Sequence, residues 1–156
     1  ADPGRSGPGA QQDGAGTAAG GAPDPVASDG PRLAAAIREV QQGRFEAGEA
    51  GLREVIASEP GPGRKARAQY WLGQSHFVRG DFREAARLFL AGYNTDPTGG
   101  MAPRSLLQLG VTLGRLGQTR EACLTLREVR NQFPEGHPEV VGAADAEADS
   151  LACGGG

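Results

Sequence analysis

No stretch of this sequence approaches the run of about 18 apolar residues that a helical membrane span requires. Aromatic residues are scarce, with one Trp, two Tyr and five Phe in 156 residues. Lysine is scarcer still: Lys65 stands alone among fifteen arginines. Two Cys and two His, with no His at ligand spacing from either Cys, make no zinc site. No basic cluster marks a nucleic-acid footprint. The start of the chain pairs no charged segment with an apolar one, so no signal peptide is expected within it.

What is abundant is Gly, with 26 residues, and Pro, with 11. Both are unevenly spread. Residues 1–30 contain no Leu, Ile, Phe, Tyr or Trp, and Val26 is their one large apolar side chain. Such a segment buries too little surface to offset its ordering entropy. It is expected to be a disordered leader, with the folded domain over 31–153. The net charge of −3 is divided: residues 1–30 carry −3, residues 31–136 carry +4 and residues 137–156 carry −4.

The folded part repeats. Gly43, Gly80 and Gly117 fall 37 residues apart. At the same spacing come the small residues Gly48, Ala85 and Ala122, the large Leu52, Phe89 and Leu126, and Pro60, Pro97 and Pro134. Leu72-Gly73 matches Leu109-Gly110, where the first unit has Ala35-Ala36. Each position has a physical reason. The small residue lets two helices approach, and the large one lies four further on, along the same face. Gly tolerates the left-handed turn that ends a first helix, and Pro stops the second. The spacing predicts helices over 32–42, 45–58, 64–79, 82–95, 101–116 and 119–132, with a seventh, capping helix over 139–152. Three hairpin repeats result, at about 32–60, 64–97 and 101–134. The fold class is all-α, a helical-repeat solenoid.

The order Leu-Gly, Gly-x-aromatic, Ala, aromatic, Pro resembles the tetratricopeptide repeat, whose period is about 34 residues. The longer period here places extra residues in the inter-repeat loops, which hold Gly61-Pro62-Gly63 and Thr98-Gly99-Gly100. A narrower resemblance covers residues 33–153. "YWLGQSHFVRGDFREAARLFL" and "LLQLGVTLGRLGQTREACLTLREVRNQFP" are similar to the C-terminal domain of the YbgF/CpoB family of Tol–Pal-associated proteins. That resemblance implies a periplasmic location and a scaffold without catalysis. It also implies a role coordinating peptidoglycan synthesis with outer-membrane constriction at division, with TolA and peptidoglycan-synthesis proteins as partners. Family members carry a trimerising N-terminal coiled coil. Residues 1–30 show no heptad pattern, so this chain is expected to be a monomer. The alternative is an accessory or regulatory module of another envelope assembly or of a cell-wall enzyme.

Cys123 falls early in the sixth predicted helix and Cys153 after the seventh. Antiparallel packing leaves them offset by about 6 Å along the helix axes. Two readings remain: a disulfide, or a buried Cys123 beside a free Cys153. The family resemblance favours the disulfide, since its related branch ends in a second Cys.

Literal motif matches carry little. Gly61-Pro62-Gly63-Arg64-Lys65-Ala66 fits G-x-G-x-x-A but follows no strand. Ser75 and His76 are neighbours on a helix, their side chains about 100° apart, which suits no triad. Asp145, Glu147 and Asp149 lack the Gly and closing Glu of a calcium loop and read as a solvated face. Arg79, Arg83 and Arg87 read likewise. No enzyme, cofactor, metal site, nucleic-acid partner or membrane insertion is expected.

A stack of hairpins curves and lines its concave side with first helices. By repeat position the inward residues are Ile37 and Gln41, then Arg67, Tyr70, Gln74 and Phe77, then Arg104, Leu107, Val111 and Arg115. These ten form the expected partner-binding groove. Tyr70 and Phe77 are its aromatic anchors or, equally, core residues; Trp71 is expected in the core. Gln74 stands where a carboxylate clamp of the chaperone-binding kind needs Asn.

Overall fold

A computed structural model describes residues 25–154. Seven helices follow in order: α1 (Pro25–Gln41), α2 (Phe45–Ala57), α3 (Pro62–Val78), α4 (Phe82–Thr95), α5 (Ala102–Arg115), α6 (Thr119–Gln132) and α7 (Pro138–Ser150). There is no strand among the described residues. Residues 1–24, most of the expected leader, lie outside the described part. α1 starts at Pro25, ahead of the expected residue 32, and runs through Pro31. Pro31 removes one backbone donor from the helix. A side chain at Gly30 would come within 3.4 Å of the Arg64 guanidinium, so this extension runs beside the start of α3.

One turn is used three times. Gly43, Gly80 and Gly117 have φ of +83°, +82° and +80°. Each glycine N–H donates to the carbonyl three residues back, and the next N–H to the carbonyl five back, as in Asp81 to His76 at 2.9 Å and Gln118 to Leu113 at 2.9 Å. This is the Schellman closure, and it satisfies carbonyls that the helix end leaves open. Ala152 repeats it after α7, with φ +56° and Cys153 N–H donating to Ala148 at 2.9 Å.

The hairpins close around the large residue of the second helix. A Cβ on Gly73 would sit 2.8 Å from the Phe89 ring, and one on Gly110 would sit 2.6 Å from Leu126 Cδ2. Leu52 and Phe89 are 0% exposed. Burying a side chain of this size contributes about 1.5–3 kcal/mol by transfer from water. Leu33, Ile37, Leu52, Leu72 and Leu88 form one core cluster, and Tyr70, Phe89, Leu106, Leu126 and Val140 a second. Trp71 packs against both.

Both ends of the stack are modified copies. Leu72 and Leu88 are buried with residues of the first hairpin. The first unit has Ala35 and Gly51 at their positions, flooring a shallow depression rimmed by Arg32, Glu39 and Glu54. At the other end α7 packs as the first helix of a fourth unit, against α6 and α5. Aligned on its closing turn, Val140, Val141 and Ala144 take the buried positions of Ser105, Leu106 and Leu109. Asp145 and Glu147 take those of Gly110 and Thr112, where a following helix would pack. Polar residues on that face end the solenoid.

Candidate functional site: the inner face of α3 and α5

The first helices of successive hairpins lie side by side, and α3 and α5 bring several expected groove residues together. Arg67, Tyr70 and Arg104 line one cleft of about 490 Å³, completed by Gly63, Trp71, Asp96, Gly100 and Met101. Arg67 and Arg104 are exposed, each in the first two turns of its helix. Neither forms an ion pair among the described residues. Tyr70 is only 7% exposed, with its ring 5.6 Å from both Trp71 and Phe89. It is a core residue whose edge reaches the cleft. Burial holds its phenol above the ordinary pKa, and the Arg104 charge works against that shift.

Further along the same face, Gln108 Nε2 donates to Gln74 Oε1 at 2.7 Å, linking α5 to α3. Beyond that bridge the Arg115 guanidinium lies 5.5 Å from the Phe77 ring, which packs at 5.2 Å on Phe82. Leu107 and Val111 are half-buried on α5 between these landmarks. The first hairpin contributes differently. Ile37 is 6% exposed and belongs to the first core cluster, while Gln41 is exposed at the end of α1. Of the ten inward residues, three are Arg and none is Asp or Glu.

Sequence reasoning passed over Trp71, Asp96 and Met101 as cleft residues. Asp96 and Met101 sit in the long inter-repeat loop, and that extra length was the available signal. It also passed over a buried joint behind the groove. Glu49 on α2 is 5% exposed. It accepts hydrogen bonds from Ser75 Oγ at 2.5 Å and from Arg79 Nη2 at 2.6 Å. His76 is buried, with Nδ1 3.1 Å from Asp81 Oδ2.

Cys123 and Cys153 are joined by a disulfide, their Cα atoms 5.5 Å apart. The left-handed turn at Ala152 reverses the chain after α7 and carries Cys153 back to α6. Asp145, from the acidic run near the C-terminus, pairs with Arg130. Among the described residues no group of three or more His, Cys, Asp or Glu is placed to hold a metal ion. No helix there is long and apolar enough to cross a membrane.

Family models described as tetratricopeptide repeat match residues 33–99 and 104–136. The chain carries tetratricopeptide repeats. Its three hairpins coincide with the matched stretches, and α7 follows them as the capping helix. Tetratricopeptide repeats are protein-interaction modules, and their presence points to protein partners for the chain. No curated protein matches the chain.

Proposed function

We propose that this chain is a periplasmic interaction scaffold of the Tol–Pal system. In that role it couples peptidoglycan synthesis to outer-membrane constriction during division, and it has no catalysis of its own. The groove along α3 and α5 holds an extended segment of an envelope partner, either TolA or a protein of the wall-synthesis machinery. The observation that carries the reading is the shared inner face of α3 and α5. It combines a cleft, half-buried apolar residues and unpaired arginines on one surface. Extended segments bind such surfaces through apolar anchors flanked by polar contacts. The likeness of residues 33–153 to the YbgF/CpoB family supplies the Tol–Pal assignment. The disulfide is compatible with an oxidising compartment such as the periplasm.

The test is calorimetric titration of the chain with the periplasmic part of TolA, using wild type and Phe77→Ala. Micromolar binding that weakens about tenfold in the variant agrees with the loss of one aromatic anchor. No heat of binding, or an unchanged affinity in Phe77→Ala, contradicts the proposal.

A further inference from the structure

We infer that the groove selects an acidic segment, with two side-chain carboxylates about five residues apart and apolar residues between them. This rests on the groove reading above and adds the chemistry of its occupant. The chain as a whole is acidic, with a net charge of −3, yet its inner face is basic. Arg67 and Arg104 face one cleft from adjacent helices, with neither neutralised by an ion pair among the described residues. Asp96 lines the same cleft, so its three charged residues leave a net positive charge for a ligand. A carboxylate placed between two guanidinium groups makes charge-assisted hydrogen bonds that a neutral amide does not match. Trp71 and Met101 beside it supply apolar surface for the ligand's stem.

The second carboxylate is placed by geometry. Arg115 is eleven residues beyond Arg104 on α5, which is about 16 Å along the helix axis. It is exposed, carries no ion pair among the described residues, and is steadied by the Phe77 ring at 5.5 Å. An extended peptide covers that distance in about five residues. Leu107 and Val111 lie between the two arginine positions and meet the apolar residues of the segment.

Trp71 is the single tryptophan and lines the cleft, so its emission reports occupancy directly. The probe is a short acetylated and amidated peptide without Trp. It carries two glutamates about five positions apart, with Leu and Val between them. Its twin carries glutamine at both positions. A third peptide has a free C-terminal carboxylate and no glutamate. The glutamate peptide is expected to bind about tenfold tighter than its twin, and to lose that advantage in Arg67→Gln/Arg104→Gln. Arg115→Gln is expected to weaken the two-glutamate peptide and leave a one-glutamate version unchanged. Equal binding of the glutamine twin, an unchanged affinity in the arginine variants, no binding of the glutamate peptide, or binding of the free-acid peptide alone would each overturn the inference. The TolA titration separates the two claims. If Phe77→Ala weakens TolA binding and Arg67→Gln/Arg104→Gln does not, the acidic preference fails and the groove stands. If neither change matters, the groove itself fails. Circular dichroism of each variant verifies that it is folded.

Discussion

Glu49 and Cys123 occupy the same position in their hairpins, two periods of 37 residues apart, and each ties its helix to the next one in the stack. Glu49 does so through Ser75 and Arg79 of α3. Cys123 does so through Cys153, in the turn after α7. The middle hairpin has Ala86 there, packed against the second core cluster. One joint is thus made in three ways along the stack: by hydrogen bonds to a buried carboxylate, by apolar contact and by a covalent bond.

The polar joint is the most exposed to mutation. Arg79→Ala removes the nearer of two cations from the buried Glu49 carboxylate and leaves Arg53 at 3.8 Å, and removing one partner of a buried pair costs up to about 3–5 kcal/mol. Arg79 is 39% exposed, so water screening reduces the expected loss to about 1–3 kcal/mol. Glu49→Gln keeps an acceptor for Ser75 and is expected to cost less than Arg79→Ala. Urea titration of both variants checks the order.

The covalent joint closes a sequence separation of 30 residues. On the chain-entropy model a loop of that size stabilises by about 3–4 kcal/mol. Cys123→Ser/Cys153→Ser is expected to lose that amount. Its hydrogen-exchange protection should fall first in α7 and later in α3 and α4, because a terminal helix opens before the centre of the stack. Uniform loss of protection across all helices would contradict the staple's local role.

Packing at the repeated glycines gives a third expectation. Gly73→Ala puts a methyl 2.8 Å from the Phe89 ring, on a helix whose backbone is fixed by its own hydrogen bonds. Overpacking of this kind costs about 1–3 kcal/mol. Phe89→Leu makes room, so the pair of changes should be less destabilising than the sum of the two alone. Thermal melts of the four proteins measure that coupling.

Tyr70 sets a pH dependence. Its folded pKa lies above the usual 10.0 because burial disfavours the phenolate. A raised folded pKa contributes stability that is fully present below the unfolded value and is lost as pH rises through the folded value. Stability should therefore fall on the alkaline side of pH 10.0. Tyr70→Phe should remove that part of the loss. Ultraviolet titration of Tyr93→Phe, which leaves Tyr70 as the single tyrosine, should show ionisation displaced to higher pH.

Much of the fold was legible because the solenoid repeats its own chemistry. Gly43, Gly80 and Gly117 mark three like turns, and the observed helices α2 to α7 begin and end within two residues of the spacing-based bounds. The start of α1 was not legible, because Pro31 reads as a boundary and the helix passes through it. A shared face on α3 and α5 was legible from repeat position, and Arg67, Tyr70 and Arg104 do line one cleft there. It was not legible for Ile37, which packs in the first core cluster. The Glu49 joint was hidden because its partners lie 26 and 30 residues away, on the far side of a turn. Neither helical periodicity nor the list of repeated positions registers a contact of that kind.

The central claim is that the inner face of α3 and α5 is where a protein partner sits. Hydrogen exchange of the chain, free and saturated with the periplasmic part of TolA, tests it most directly. New protection is expected along α3 and α5, including the segments around Arg67 and Arg104, with α4 and α6 unchanged. Protection confined to the outer helices α2, α4 and α6, with α3 and α5 unaffected, would contradict it.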